Sequence, residues 1–159
     1  MTKRILLVDD ERSIRESLSK ILRAENYEVA LADSGEEAIQ KQRIERIDLL
    51  ILDLNMPVKN GWVTLGSLVQ STPLLPIIII TGRPNQRVLA ENGGADVLME
   101  KPLDVPLLLQ TIRNLLSEPL ESRTERARSR ASVSRREPDD EELSRETLLK
   151  RLTRPNRES

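Results

Sequence analysis

Three carboxylates of this chain directly follow short apolar runs. Asp9 and Asp10 come after Ile5 to Val8, and Asp53 comes after Leu49 to Leu52. If these runs are neighbouring parallel strands, their carboxyl ends meet at one edge of a sheet, where such sheets bind ligands. Carboxylates gathered at that edge repel one another unless a cation lies among them. A hard divalent ion that prefers oxygen ligands relieves this repulsion, so the pattern predicts a Mg²⁺ site.

The predicted metal site also contains a nucleophile. We expect Asp10 and Asp53 to supply carboxylate oxygens, the backbone carbonyl of Asn55 to supply a third oxygen, and Asp9 to orient a bound water. A carboxylate held beside the ion can attack phosphorus and form an acyl phosphate. Asp53 is therefore the predicted phosphoacceptor.

Polar residues after two further apolar runs complete the predicted site. Thr81 and Gly82 follow Ile77 to Ile80, and Lys101 comes shortly after Val97 to Met99. Lys101 and the ion can neutralise the equatorial oxygens of a phosphoryl group. The Thr81 hydroxyl can donate to that group, while Gly82 leaves room for its oxygens and offers a backbone N–H.

The elements that position these residues are five short strands separated by amphipathic helical patterns, which is typical of βα units on a parallel sheet. The predicted strands are Ile5 to Val8, Val29 to Leu31, Leu49 to Leu52, Ile77 to Ile80 and Val97 to Met99. The first, third and fourth are apolar without alternation, which favours central strands covered on both faces. The second is short and flanked by charge, so we place it at an edge.

Five helical patterns lie after the strands and end near Ser117. Their apolar stripes are Ile14, Leu18, Ile21 and Leu22; Ala38 and Ile39; Leu65, Leu68 and Val69; Val88 and Leu89; and Leu108, Ile112, Leu115 and Leu116. Ser34 and Glu37 predict a capping box for the second helix. Asp104 predicts an N-cap for the last helix, whose first turn tolerates Pro106.

The composition excludes several kinds of chemistry. The 159 residues include no cysteine and no histidine, which excludes disulfides, thiolate zinc sites, cysteine nucleophiles and histidine acid–base catalysis. No apolar run approaches the roughly 20 residues that span a bilayer. Residues 1–4 are a short polar lead into Ile5 to Val8, and this start is too brief to be a signal-peptide core and lacks a small-residue cleavage site. We therefore expect a soluble cytoplasmic protein without a membrane partner.

Residues 118–159 differ in composition from the rest of the chain. Arg, Glu and Ser dominate there, and the segment cannot bury enough apolar surface to offset its ordering entropy. We expect disorder from Glu118 to Pro138 and a short, marginal helix near residues 140–152. The basic stretch Arg123 to Arg136 lacks the aromatic residues that stack on bases, which disfavours nucleic-acid binding. The predicted organisation is thus a domain at 3–117 and a charged tail at 118–159.

Four segments of the chain together resemble the response regulator receiver domain of bacterial two-component signalling, in the CheY-like superfamily. They are Ile-Leu-Leu-Val-Asp-Asp-Glu at 5–11, Leu-Asp-Leu-Asn-Met-Pro at 52–57 with Gly61-Trp62, Ile-Thr-Gly at 80–82, and Gly-Ala-Asp at 94–96 leading to Lys101-Pro102. The resemblance implies a doubly wound, flavodoxin-like (βα)5 fold with strand order 2-1-3-4-5. It also implies phosphotransfer to Asp53 from a histidine kinase or phosphotransfer protein, and a cis peptide bond before Pro102 that aims Lys101.

One position departs from the family pattern. Leu98 stands three residues before Lys101, where the family usually has a Tyr or Phe that swings inward after the switch hydroxyl moves. The departure puts in question whether the surface of the fourth helix, fifth strand and fifth helix reports phosphorylation in the usual way.

The favoured function is a phosphorylation-controlled module whose switched surface selects a protein partner, with no DNA-binding output domain in this chain. An aspartyl-phosphate hydrolase is disfavoured because Asn55 stands where such enzymes usually have a second acid. A flavin-binding protein is weaker still, since the only aromatic residues are Tyr27 and Trp62. The downstream target and homodimer formation stay open.

Purely structural roles also remain open for the individual carboxylates. Asp9 or Asp10 could cap the helix that follows them, and Asp53 could belong to a turn.

Overall fold

Five parallel strands form one sheet in the order β2-β1-β3-β4-β5. A computed structural model describes residues 1–54, 61–82 and 94–134 of the chain. The strands are β1 (Arg4–Val8), β2 (Glu28–Ala32), β3 (Leu49–Asp53), β4 (Ile77–Thr81) and β5 (Val97–Glu100). The predicted doubly wound α/β fold, its strand order and the edge position of β2 are confirmed.

Five helices lie within the described residues. They are α1 (Arg12–Ala24), α2 (Gly35–Ile44), α3 (Gly61–Ser71), α4 (Val105–Ser117) and α5 (Leu120–Ser134). None of them is long and apolar enough to cross a membrane. The predicted helix at Val88 and Leu89 and the one near residues 140–152 lie outside the described residues.

The sheet has an apolar core on each face because successive strand residues point to opposite sides. One core cluster lies between the sheet and the helices α2 and α3. Its residues from the three central strands are Leu6, Val8, Leu50, Leu52, Ile77 and Ile79. The other core cluster lies between the sheet and the helices α1 and α4. Its residues from the same three strands are Ile5, Leu7, Leu49, Ile51, Ile78 and Ile80. Full burial of such a side chain contributes roughly 1.5–3 kcal/mol. The unbroken apolar runs are therefore central strands covered on both faces, as predicted.

Two helices begin with the predicted caps. The Glu37 N–H donates to Ser34 Oγ at 3.2 Å, and the Asp33 N–H donates to the Glu37 carboxylate at 2.9 Å. The return bond of the capping box therefore comes from the residue before the cap. At the start of α4, the Leu107 N–H donates to Asp104 Oδ1 at 3.0 Å. These local bonds fix where α2 and α4 leave the carboxyl edge of the sheet.

The expectation of disorder between Glu118 and Pro138 is wrong for Leu120–Ser134, which form α5. Composition indicated little apolar burial, but polar contacts hold this helix. Arg123 donates to the carbonyl of Leu116 at 3.0 Å, at the end of α4.

Candidate functional site

The structure brings the three predicted carboxylates together at the carboxyl edge of the sheet. Asp9 and Asp10 follow the end of β1, and Asp53 is the last residue of β3. One carboxylate oxygen from each lies within 4.8 Å of the others. Asp9 and Asp53 are each only 3% exposed, whereas Asp10 is exposed. Two buried carboxylates and one that faces water thus share a single pocket.

Strand pairing positions Asp53 beside β4. In the parallel register Asp53 lies opposite Ile80. The Leu54 N–H donates to the Ile80 carbonyl at 3.1 Å, which continues the pairing past the carboxylate. The Asp53 backbone is therefore held between hydrogen-bonded neighbours, so its side chain has a defined direction into the pocket.

The environment of Asp9 disfavours its ionised form. The pKa of Asp9 is raised from 3.8 to about 6, and burial is the main cause. The hydrogen bond from the Glu11 N–H lowers this pKa, whereas the charge of Asp53 raises it. The Glu11 N–H donates to Asp9 Oδ1 at 2.9 Å. Glu11 is itself the N-cap residue of α1, and its side chain makes no capping hydrogen bond. The Asp9 carboxylate thus bonds the cap residue's own N–H and none of the N–H groups within the helix.

Lys101 reaches the buried carboxylate of Asp53 from the end of β5. Its Nζ lies 3.1 Å from Asp53 Oδ2, with 29% of the lysine side chain exposed. The Lys101 N–H donates to the Thr81 carbonyl at 2.8 Å, so pairing of β4 with β5 sets where the lysine starts. The peptide bond between Lys101 and Pro102 is cis, as the resemblance implied.

The structure describes three of the remaining predicted site residues and does not describe the fourth. Thr81, the last residue of β4, is fully buried, and the exposed Gly82 follows it. Leu98 is half-buried and packs against the core cluster of α2 and α3. Asn55 lies outside the described residues.

The donor set of the pocket fits a hard divalent cation. Three carboxylates within 4.8 Å of one another carry up to three negative charges, and Lys101 supplies one positive charge. Burial is the main cause of the raised pKa of Asp9, and the nearby charges of Asp53 and Asp10 raise it further. Carboxylate oxygens are the ligands that Mg²⁺ prefers.

A groove of about 410 Å³ that sequence reasoning missed opens beside the carboxylates, between α1 and the start of α4. The groove is lined largely by apolar side chains, and Asp9 and Lys101 line it where it meets the carboxylate pocket. The apolar lining includes Ile14, Leu18, Ile21, Ile80, Leu103 and Val105. Two residues of the predicted α1 stripe, Ile14 and Ile21, are only half-buried. The apolar stripe of α1 is wider than the surface that the sheet covers, and this width was the sequence signal for the groove.

The sheet order and the acidic pocket beyond its carboxyl edge define a doubly wound domain of the kind used in phosphotransfer signalling. The chain belongs to the response regulator receiver domain family, whose model matches residues 5–113. It is therefore a receiver domain of two-component signalling.

Individual relatives agree with this assignment. Response regulator MprA of Mycobacterium leprae is 40% identical over 115 residues, which cover 71% of this chain and 50% of MprA. The chain thus spans about half the length of the curated relatives it matches. A CheY-like receiver domain protein from Methanospirillum hungatei superposes with a TM-score of 0.72 at 33% identity, covering 77% of this chain and 98% of that one. Response regulator TrrA of Thermotoga maritima, in complex with Mg²⁺ and BeF, gives 0.67 at 36% identity, covering 72% and 99%.

Proposed function

We propose that this receiver domain is switched by phosphorylation of Asp53, with a histidine kinase or phosphotransfer protein as the donor. The observation that carries the proposal is the 3.1 Å contact between Lys101 Nζ and the buried Asp53 carboxylate, with two more carboxylates within 4.8 Å. The arrangement combines a nucleophile, a phosphate-binding cation and a metal-binding pocket. These are the parts that phosphoryl transfer to a carboxylate requires.

We assign Asp9, Asp10 and Asp53 as the residues that hold Mg²⁺, with the backbone carbonyl of Asn55 as a further ligand. Bound Mg²⁺ supplies positive charge to the carboxylates and to the transferred phosphoryl oxygens. In the TrrA complex, a related domain holds Mg²⁺ together with BeF. The same probe is therefore suited to this chain.

In the proposed reaction a carboxylate oxygen of Asp53 attacks the phosphorus of the donor's phosphohistidine. The O–P bond forms as the P–N bond breaks, and the electron pair of the P–N bond stays on the ring nitrogen. The donor's imidazole leaves as a neutral ring because its other nitrogen already carries a proton. Before transfer, the Lys101 ammonium contacts the Asp53 carboxylate. After transfer, it contacts an oxygen of the phosphoryl group. The Thr81 hydroxyl and the Gly82 N–H donate to the remaining oxygens. Because these groups are positioned by strand ends, little rearrangement is needed to stabilise the charge.

The groove beside the pocket is suited to the phosphoryl donor's side chains. It joins an apolar surface, including Ile14 and Leu103, to the pocket edge at Asp9 and Lys101. A donor helix that seats apolar side chains there would hold its phosphohistidine near Asp53. Binding energy would thus be gained close to the reacting atoms, which favours transfer from a protein donor.

The output of the reaction is a change of surface for a downstream protein. A phosphoryl group adds about 1.5 to 2 negative charges to a pocket that is already acidic. The family is a class of signalling domains, and we propose that phosphotransfer and autodephosphorylation on Asp53 are the only chemistry of this domain. Leu98 stands where the family usually has an aromatic residue. We expect this difference to make the phosphorylation-induced change of surface differ from the usual one of the family.

Beryllofluoride with Mg²⁺ tests the assigned acceptor. We expect the fluorescence of Trp62, the single tryptophan, to change on addition of the pair and Asp53→Asn to abolish the change. Glu100→Gln is the matched control, because it also removes one carboxylate but from an exposed position next to Lys101. An equal response in the Asp53→Asn variant would show that another residue is the acceptor.

Labelling with acetyl phosphate separates the switch from a hydrolase. A switch takes up about one phosphoryl group per chain on Asp53 and then loses it slowly. Rapid steady-state release of phosphate over many turnovers would instead support an aspartyl-phosphate hydrolase.

A further inference from the structure

The helix α5 lies beyond residues 5–113, which match the receiver family, yet it contacts the body of the domain. Its guanidinium groups make those contacts. Arg126 Nη1 lies 3.2 Å from Asp96 Oδ1, and the Asp96 side chain is only 2% exposed. Arg126 also pairs with Glu118, in the short connection between α4 and α5. A residue of the predicted tail thus closes over an acidic side chain of the domain.

Asp96 is part of the sheet at this point. Its Oδ2 accepts the Ile77 N–H at 2.7 Å, and its own N–H donates to the Ile77 carbonyl at 2.9 Å. Ile77 is the first residue of β4, and β5 begins at Val97. The contact with Arg126 is therefore at the amino-terminal edge of the sheet, at the opposite end of the strands from Asp53.

A second arginine ties the start of α5 to the end of α4. Arg123 donates to the carbonyls of Leu116 at 3.0 Å and Leu115 at 3.4 Å. These carbonyls belong to the last turn of α4, where helix carbonyls have no partner within the helix. The positive charge of Arg123 also lies at the negative end of the helix dipole.

Apolar burial contributes little to the attachment of α5. Leu120 is 66% exposed, and neither apolar core cluster includes a described residue of this helix. An isolated helix of 15 residues is marginal in water, so α5 needs tertiary contacts to be stable. Those contacts also carry a cost, because Arg123 Nε and Arg126 Nε are buried without a hydrogen-bond partner among the described residues. Polar contacts with a desolvation cost therefore hold α5, and it can detach from the domain without global unfolding.

We propose that α5 is a detachable strap, which Arg126 holds on the amino-terminal edge of the sheet through its ion pair with Asp96. In the docked state the strap covers Asp96 and fixes where the chain leaves the domain. In the released state α5 loses its helical structure while the sheet and its carboxylate pocket stay folded. The strap is a conformational device separate from the phosphoacceptor site.

Hydrogen exchange followed by mass spectrometry on the full chain tests the strap. We expect Arg126→Gln to speed amide exchange in peptides from residues 120–134 at least tenfold, with peptides from β3 and β4 unchanged. Arg128→Gln is the matched control, because it removes the same charge from an exposed position of the same helix. It should leave exchange in α5 within twofold of the unsubstituted chain.

Two results would overturn the proposal. Equal exchange of α5 in the Arg126→Gln and Arg128→Gln chains would mean that the ion pair does not hold the helix. Faster exchange in β3 and β4 as well would mean that α5 opens only with the whole domain. Arg126→Lys is a second variant, since it keeps the charge but not the guanidinium that pairs with both Asp96 and Glu118. The strap predicts exchange between that of Arg126→Gln and that of the unsubstituted chain.

Discussion

Lys101 and Asp53 form an ion pair between the ends of two strands that are not adjacent in the sheet. Their side-chain atoms lie 3.1 Å apart, although β4 separates β3 from β5. The long lysine side chain spans this intervening strand, whose last residue is Thr81. The pair thus joins the proposed nucleophile to the residue that would contact the phosphoryl group.

Removal of the lysine charge should destabilise the metal-free domain. Lys101→Met leaves Asp53, which is 3% exposed, without that cation. Because the lysine itself is partly exposed, solvent screening reduces the effect, and we expect a loss of about 1–2 kcal/mol in unfolding free energy. Urea denaturation in a chelator measures this loss. Lys20→Met, at an exposed position of α1, is the control and should change stability by less than about 0.5 kcal/mol.

The raised pKa of Asp9 predicts a stability that depends on pH. Its folded pKa of about 6 exceeds the ordinary 3.8, so the folded state binds this proton more tightly than the unfolded state. The resulting stabilisation is present below pH 4 and is lost as pH rises through about 6. Asp9→Asn cannot ionise and avoids that loss. In chelator above pH 7 we expect this variant to be about 1–3 kcal/mol more stable than the unsubstituted chain.

Comparison of the two chains near pH 4 and near pH 7.5 checks the sign of the Asp9 effect. The advantage of Asp9→Asn should shrink at the lower pH and also when Mg²⁺ is added at the higher pH. A variant that is less stable than the unsubstituted chain at pH 7.5 in chelator would contradict the prediction.

A close contact between α2 and α3 predicts opposite effects for two glycine substitutions. A Cβ on Gly35 would lie 1.9 Å from Thr64 Oγ1, whereas a Cβ on Gly66 meets nothing within 4 Å. We expect Gly35→Ala to cost about 1–3 kcal/mol through overpacking. Gly66→Ala should stabilise the chain by about 0.5–1 kcal/mol, because alanine suits a helix interior better.

The Gly35 effect should depend on Thr64. The Thr64 hydroxyl is buried without a hydrogen-bond partner among the described residues, so Thr64→Ala removes the obstacle without breaking a hydrogen bond of that part of the chain. In a double-mutant cycle, Thr64→Ala should recover part of the loss caused by Gly35→Ala. Strictly additive effects would show that Thr64 is not what the new methyl group meets.

The apolar groove predicts that protein donors and small donors respond differently to one substitution. Ile14→Glu places a charge in the groove, so phosphotransfer from a histidine kinase that labels the unsubstituted chain should slow at least tenfold. Labelling by acetyl phosphate should stay within about twofold, since the small donor does not need the groove. Lys20→Glu is the control on the same helix. Equal slowing with both donors would place the defect in the pocket instead.

Much of the fold follows from local sequence patterns. Each apolar run became a strand within about one residue of the predicted bounds, and the caps at Ser34 and Asp104 form as expected. Periodicity and capping act over a few neighbouring residues, so the sequence displays them directly. The convergence of Asp9, Asp10 and Asp53 also followed, because the carboxyl ends of parallel strands share one edge of the sheet.

The tertiary structure decided what depends on residues far apart in the chain. The helix α5 is held by Arg126 at Asp96, and the apolar groove lies between α1 and the start of α4. The contact of Gly35 with Thr64 likewise joins two helices across a strand and its loops. Composition reports how much apolar surface a segment can bury, but not which buried charge a distant arginine will meet. That choice depends on packing geometry, which the linear order of residues does not express.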